Sequence, residues 1–218
     1  MKEKIISVIN QKGGVGKTTT VINLAAGLSQ NNKKILVIDL DPQGNATTGL
    51  GLLNISQSSN SIYEVLSGSK KINDVISKTK FSNLDIITSN VDLSGLEVET
   101  ADDGRRAYIL KEKLASYLND SRGNYDYVLI DCPPSLSLLT VMALVASHSL
   151  LVPLQTEFFA LEGITQLIKT IDRIKVGLNP NLAIRGILLT MFDKRNKLSS
   201  EVEFCLLYTS PSPRDFQV

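Results

Sequence analysis

The sequence predicts an α/β fold: a three-layer arrangement in which a mostly parallel sheet carries helices on both faces. Three observations lead there. Six short apolar runs recur along the 218 residues, stretches of helical period lie between them, and a glycine-rich turn joins the first run to the first such stretch. The runs are IISVI (5–9), ILVID (35–39), LDIIT (84–88), YVLID (127–131), SLLVPL (149–154) and IRGILLT (184–190). They are largely continuous rather than alternating, as strands buried on both faces are.

Between the first two runs, Val21, Leu24, Ala25 and Leu28 repeat at helical spacing. Similar periods predict helices over roughly 105–118, 136–147 and 158–176. Strands and helices in alternation imply parallel pairing through right-handed crossovers. Two regions break the pattern. Residues 42–61, rich in Gly, Asn, Ser and Thr, predict a loop, in which Asn45-Ala46-Thr47 is a loop sequence and not a glycan site. The end, EFCLLYTSPSPRDFQV, loses periodicity and puts Pro211 and Pro213 where a helix begun near Ser199 should continue. That tail resembles the translated remnant of a sequencing adapter; the other reading is a genuine disordered terminus. The expected organisation is one domain over 1–203, incomplete at its C-terminal end, followed by a tail over 204–218.

A hydrophobic content of 43% with 21% charged residues is ordinary for a soluble globular protein. A net charge of +1 argues neither for nor against an acidic partner such as DNA, so any nucleic-acid contact has to come from a local patch. Cys132 and Cys205 are far apart and form no CxxC pair, which argues against a disulfide framework or a zinc site. The N-terminus enters the glycine turn after a short apolar run and reads as a strand rather than a signal peptide. No apolar run approaches the roughly 20 residues of a membrane helix. A cytoplasmic protein is expected.

The turn, NQKGGVGKTTT (10–20), follows the phosphate-loop pattern G-x-x-x-x-G-K-[ST] except that Gln11 stands at its first position. Backbone N–H groups over Gly13, Gly14, Val15 and Gly16, with the start of the helix at Lys17, Thr18 and Thr19, can cradle phosphate oxygens. Lys17 supplies charge at the outer phosphates, and the Thr18 hydroxyl is the expected Mg²⁺ ligand. A dinucleotide fingerprint fails because Thr19 stands where its third glycine belongs. Lys12 is one cation more than the pattern needs: either a second charge near a polyphosphate or a solvated lysine.

Asp39 and Asp41 lie two apart in VIDLDPQGNAT, so on an extended segment both point to one side, toward the strand ends. One can organise Mg²⁺ while the other orients an attacking water. Asp131 ends YVLID before Cys-Pro-Pro and reads as a second metal-organising aspartate. Their bland alternative is to cap strand ends. All three nevertheless fall at the carboxyl ends of predicted parallel strands, where ligands bind in open α/β sheets.

KGGVGKTT resembles the deviant phosphate loop of the ParA/MinD group of ATPases, within the wider class that includes the nitrogenase iron protein. DLDPQGNAT, DCPPSLSLLTVMAL and VPLQTEFFALEGITQL are similar to the ParA-type partitioning branch, so the likeness runs from about Lys4 to Val202. It implies an ATPase using ATP and Mg²⁺, with Lys12 as a signature lysine that reaches the partner's nucleotide across a dimer interface. It gives Asp41 a role in hydrolysis, and Asp39, Thr18 and Asp131 places around the metal. It further implies an ATP-dependent homodimer, nonspecific DNA, a ParB-type partner and nucleoid association, with no membrane contact. An iron–sulfur role for Cys132 lacks companion cysteines, and a small buried residue is the better reading.

Asn196-Lys197-Leu198-Ser199 lacks the aspartate of the guanine pattern N-K-x-D, which leaves adenine favoured by that absence and by the resemblance. The best local basic feature is FDKRNK, where the resemblance implies DNA contact by Arg195 and the bland reading is a solvated loop. Three alternatives stay open: a MinD-like ATPase with a membrane-binding helix, a non-enzymatic nucleotide-gated DNA-binding module, and a non-functional fragment of a partitioning ATPase.

Overall fold

The computed structural model describes residues 4–52, 60–120, 124–157, 160–193, and beyond them Arg195, Lys197, Ser199, Glu201, Val202 and Phe204. Seven strands form one sheet: β1 (Ile5–Val8), β2 (Ile35–Asp39), β3 (Ile76–Lys78), β4 (Leu84–Ile87), β5 (Tyr127–Asp131), β6 (Ser149–Gln155) and β7 (Ala183–Thr190). Their spatial order is β3-β4-β2-β5-β1-β6-β7. All neighbours pair in parallel except β3, which runs antiparallel to β4. The helices are α1 (Lys17–Gln30), α2 (Asn45–Gly49), α3 (Ile62–Leu66), α4 (Ile72–Val75), α5 (Leu96–Glu99), α6 (Ile109–Asn119), α7 (Leu138–Ala146) and α8 (Ala160–Gly177).

Side chains alternate across the sheet with a period of two. In β2, Ile35 and Val37 pack with Val21 and Ala25 of α1. Leu36 and Ile38 point the other way, into a cluster with Leu110 and Leu114 of α6 and Met142 of α7. A third cluster joins Val152 and Leu154 of β6 to Leu167 and Ile171 of α8. Both faces of β2 are fully buried, which is why its sequence is an unbroken apolar run.

All six expected strands form, and so do the expected helices. Two expectations need correction. The segment 42–61 is not all loop, because α2 forms within it; its 53–59 portion lies outside the described residues. The sheet also gains β3, a three-residue edge strand that the sequence reading did not predict. Lys197, Ser199, Glu201, Val202 and Phe204 are helical, matching the helix expected to begin near Ser199. Of the tail expected over 204–218, Phe204 is described and helical, while 205–218, with Cys205, lie outside the described residues.

Parallel pairing sends β1, β2 and β5 out at one edge. Asp39 and Asp131 are register partners there, and the Leu40 N–H donates to the Asp131 carbonyl (3.0 Å). The chain segments that carry the glycine turn, Asp41 and Asp131 therefore leave the sheet side by side.

Candidate functional site

The glycine turn between β1 and α1 has Gly14 at φ 75° and Gly16 at φ 88°. Side chains rarely adopt those angles, so the turn depends on glycine at both places. Gly16 is also the residue before α1, whose start has no side-chain cap and no acidic residue in its first turn. The helix thus presents open N–H groups and the positive end of its dipole to whatever lies in the turn.

The turn is pinned from outside. Asn10 Nδ2 donates to the Pro153 carbonyl (2.7 Å), while its Oδ1 accepts from the Lys12 N–H (3.0 Å). Thr190, at the end of β7, donates its hydroxyl to the Val15 carbonyl (2.9 Å). Neither Asn10 nor Thr190 was legible as a site residue, because each acts through a strand distant in sequence.

Lys17 is only 7% exposed, and its Nζ donates to the Lys12 carbonyl across the turn (2.9 Å). Burial lowers its pKa, and Asp131 and Asp41 pull it back up. Thr18 is half-buried, whereas Gly13, Gly14 and Thr19 are exposed and Val15 is buried. The Lys12 side chain is exposed and forms an ion pair with Glu157, just beyond β6. Exposed pairs of this kind contribute about 0–1 kcal/mol, so the contact restrains Lys12 only weakly.

The three aspartates are not equivalent. Asp39 is fully buried, and both its oxygens are engaged. Oδ2 accepts from the Thr47 N–H (2.8 Å) and hydroxyl (2.7 Å), and Oδ1 from the Asp41 N–H (3.2 Å). Asp41 is nearly buried, with Oδ1 accepting from the Gln43 N–H (3.0 Å). Asp131 is fully buried, yet neither of its oxygens has a hydrogen-bond partner, although the Thr18 hydroxyl stands near enough to bias its pKa downward. Burial raises the Asp131 pKa to about 7, with Asp39 and Asp41 pushing the same way and Lys17 opposing. A buried carboxylate without a partner is costly, and a cation would satisfy it. The residues present therefore fit a magnesium ion, which Asp131 and Thr18 would hold, with Asp39 engaged instead by Thr47 and the Asp41 N–H.

Thr47 explains why α2 forms in a glycine- and asparagine-rich segment. Its hydroxyl also accepts from the Ser89 N–H (3.1 Å), so one side chain ties α2 to β2 and to the exit of β4. Burial raises the Asp39 pKa to about 6, and the Thr47 bonds hold it down from a higher value. Thr47→Val should cost roughly 1–3 kcal/mol by removing one of three donors to the buried Asp39 carboxylate and stranding the Ser89 N–H. The hydroxyl favours the ionised carboxylate, so its loss matters most above that pKa and less when Asp39 is protonated. Urea midpoints in EDTA should thus fall further at pH 8 than at pH 5; equal falls would remove Asp39 as the reason.

Arg195 lies beyond β7 and is not part of this cluster of interacting side chains. Its guanidinium is held by Asp193 through Nε (3.0 Å) and Nη2 (2.8 Å). Lys194 and Asn196 lie outside the described residues. Cys132 is a buried free thiol whose pKa burial pushes up, as a structural cysteine's would be. Among the described residues, no helix is long and apolar enough to cross a membrane, and no group of three His, Cys, Asp or Glu side chains forms a ready metal cage. A phosphate-bound magnesium ion needs no such cage, since it takes few protein ligands.

A family model described as AAA domain matches residues 3–184. The chromosome partitioning protein ParA of Caulobacter vibrioides is 49% identical over 199 residues, covering 91% of this chain and 73% of that protein. The chromosome-partitioning ATPase Soj of Treponema pallidum is 47% identical over 199 residues, covering 91% and 76%. Among solved structures, cobyrinic acid a,c-diamide synthase from Mycobacterium smegmatis, with bound ADP and magnesium, has a TM-score of 0.88 at 37% identity and covers 97% of this chain and 84% of that one. A plasmid partition protein of Borrelia burgdorferi bound to AMPPNP has a TM-score of 0.79 at 31% identity, covering 96% and 84%.

Proposed function

The chain belongs to the ParA/Soj family of chromosome-partitioning ATPases, and from that premise we propose that it is an ATP-gated DNA-partitioning switch. Mg-ATP binds at the carboxyl edge of the sheet and closes a sandwich dimer. The dimer holds nonspecific DNA, and hydrolysis, stimulated by a ParB-type partner, dissolves it. Residues 1–203 make up the ATPase unit in this reading.

The observation that carries the nucleotide site is the unpartnered Asp131 carboxylate, buried beside Lys17 and Thr18 below a turn that needs glycine at two left-handed positions. Thr18 and Asp131 would hold a magnesium ion bound with ATP, which would supply positive charge to the triphosphate, and Asp39 would support that arrangement from behind. The open N–H groups from Gly13 through Thr19 cradle the phosphates. Lys17 exchanges its carbonyl partner for a phosphate oxygen. In this reading Asp41 orients the attacking water and takes its proton. Lys12 leaves Glu157 and reaches the nucleotide of the partner subunit.

Structural likeness to a cobyrinic acid a,c-diamide synthase raises an amide-forming alternative. The partitioning reading is preferred because the partitioning relatives are more similar, at 49% against 37% identity, over nearly the whole chain. DNA contact through Arg195 belongs to the proposal too; phosphates would have to compete with Asp193 for its guanidinium.

Light scattering coupled to size exclusion tests the dimer. The wild type should double in mass with Mg-ATP and not with Mg-ADP, and Lys12→Ala should stay monomeric while still binding ATP. A monomer under every condition, with ATP binding confirmed, would remove the sandwich and leave Lys12 a solvated lysine.

A further inference from the structure

The edge of the sheet opposite the nucleotide site carries a cleft of its own, of about 460 Å³. Lys34, Asn83 and Tyr125 stand just ahead of β2, β4 and β5, so the cleft sits at the amino ends of these strands. β3 runs antiparallel to β4 and pairs Lys78 with Asp85, which brings Lys78 and Lys80 to the same place. None of this could be seen in the sequence, where the three lysines span more than forty positions.

The cleft is basic after its internal pairings are counted. Asp85, only 8% exposed, accepts at Oδ2 from Lys78 Nζ (2.7 Å) and from the Tyr125 hydroxyl (2.7 Å). Its charge is thereby met within the wall. Asp126 lies at the rim, accepting from the Lys34 N–H (2.9 Å). The ammonium groups of Lys34 and Lys80 have no acidic partner among the described residues, and both side chains are exposed. Phe81, 42% exposed, offers a ring beside them.

We propose that this cleft binds the phosphodiester backbone of DNA, as a second contact surface on the edge opposite the nucleotide site. The proposal rests on the reading that the protein holds DNA as an ATP dimer. Two features select a polyanion over an enclosed small ligand. The cations sit at the lip, the Lys78 side chain being 84% exposed, so a single small anion would gain little against water there. A backbone with repeated charges gains by releasing counterions at each contact. Exposed Phe81 adds a face against which a base or sugar can pack. The five residues of β2, at about 3.3 Å each, put roughly 16 Å between Lys34 and Asp39. A dimer closed over the carboxyl edge therefore leaves this edge open, and each dimer carries two such clefts.

The test uses the full chain with the double substitution Lys34→Gln/Lys80→Gln. A second double variant, Lys111→Gln/Lys169→Gln, removes the same charge elsewhere on the exposed surface. Fluorescence anisotropy of a labelled random-sequence duplex is followed with Mg-ATP at several salt concentrations. The cleft variant should bind DNA about tenfold more weakly at low salt, with a log K against log salt slope shallower by roughly 1.8 for two lost phosphate contacts. Its affinity for a fluorescent ATP analogue should not change, and the control variant should stay close to wild type. Wild-type DNA binding in the cleft variant, or equal losses in both variants, would overturn the cleft while leaving the partitioning reading intact. Lysine-dependent binding to phosphatidylglycerol vesicles with no effect on DNA would overturn it in favour of a membrane surface. Competition by millimolar inorganic phosphate equal to that by DNA would overturn it in favour of a free-anion site. A wild type that binds no DNA in any nucleotide state would remove the partitioning reading and the cleft's role together.

Discussion

Lys17→Ala is expected to weaken ATP binding by roughly 2–5 kcal/mol, as for other truncated buried charge pairs, or about 30-fold to several thousandfold. The reason lies in where the ammonium group already sits. Its Nζ donates to the Lys12 carbonyl across the turn, and burial weakens its hold on its proton while Asp131 and Asp41 strengthen it. A triphosphate entering the turn replaces a neutral acceptor with an anionic one, so the charge gains most when nucleotide is present. Removing it also leaves Asp131 and Asp41 without their nearby cation, just where phosphate charge must be accommodated. Titration calorimetry with Mg-ATP checks the affinity, and circular dichroism checks that the variant is folded. A folded Lys17→Ala protein with affinity within threefold of wild type would show that the backbone cradle alone holds the phosphates.

The strands and the carboxyl-edge residues were legible for one physical reason. A parallel strand covered on both faces must be apolar throughout, so a polar residue ending the run is conspicuous, and Asp39 and Asp131 are such residues. What was not legible depends on contacts between distant segments. β3 is three residues long, ISK, and owes its conformation to pairing with β4 rather than to any apolar run. α2 spans NATTG, with no helical period; it forms where Thr47 can give both its N–H and its hydroxyl to Asp39. α3 did carry a local signal: Ser61 and Glu64 form a reciprocal capping box, the S-x-x-E spacing that starts helices. Glu157 is one of two acidic residues in VPLQTEFFALEG, and nothing in its own segment announces Lys12, 145 positions away, as its partner. Likewise, residue types alone could not rank the aspartates. Only the hydrogen bonds separate Asp39, saturated by the protein, from Asp131, which is left open.

Asp41→Ala is expected to slow ATP hydrolysis by about 10²–10⁴-fold, the usual effect of removing a positioned acid–base group, while leaving ATP binding intact or tighter. Asp41 is slightly more exposed than Asp39 and Asp131, which are fully buried, and its Oδ1 accepts from the Gln43 N–H. Its Oδ2 has no protein partner among the described residues, which leaves one oxygen for a water. Near a triphosphate the carboxylate is a repulsive charge, so its loss should not weaken binding. The consequence for the switch is a trapped state, with an ATP dimer that persists on DNA because the step that dissolves it has been removed. Phosphate release under stimulated and unstimulated conditions measures the first effect, and dimer lifetime after dilution into ADP measures the second. Hydrolysis at the wild-type rate would contradict the assignment outright. Asp41→Asn separates chemistry from scaffolding, since the amide oxygen can still accept from Gln43 but the charge is gone. If the asparagine variant is as slow as the alanine variant, the carboxylate acts on the water. If it turns over like the wild type, Asp41 serves by shaping the segment between β2 and α2, and the group that takes the proton lies elsewhere in the dimer.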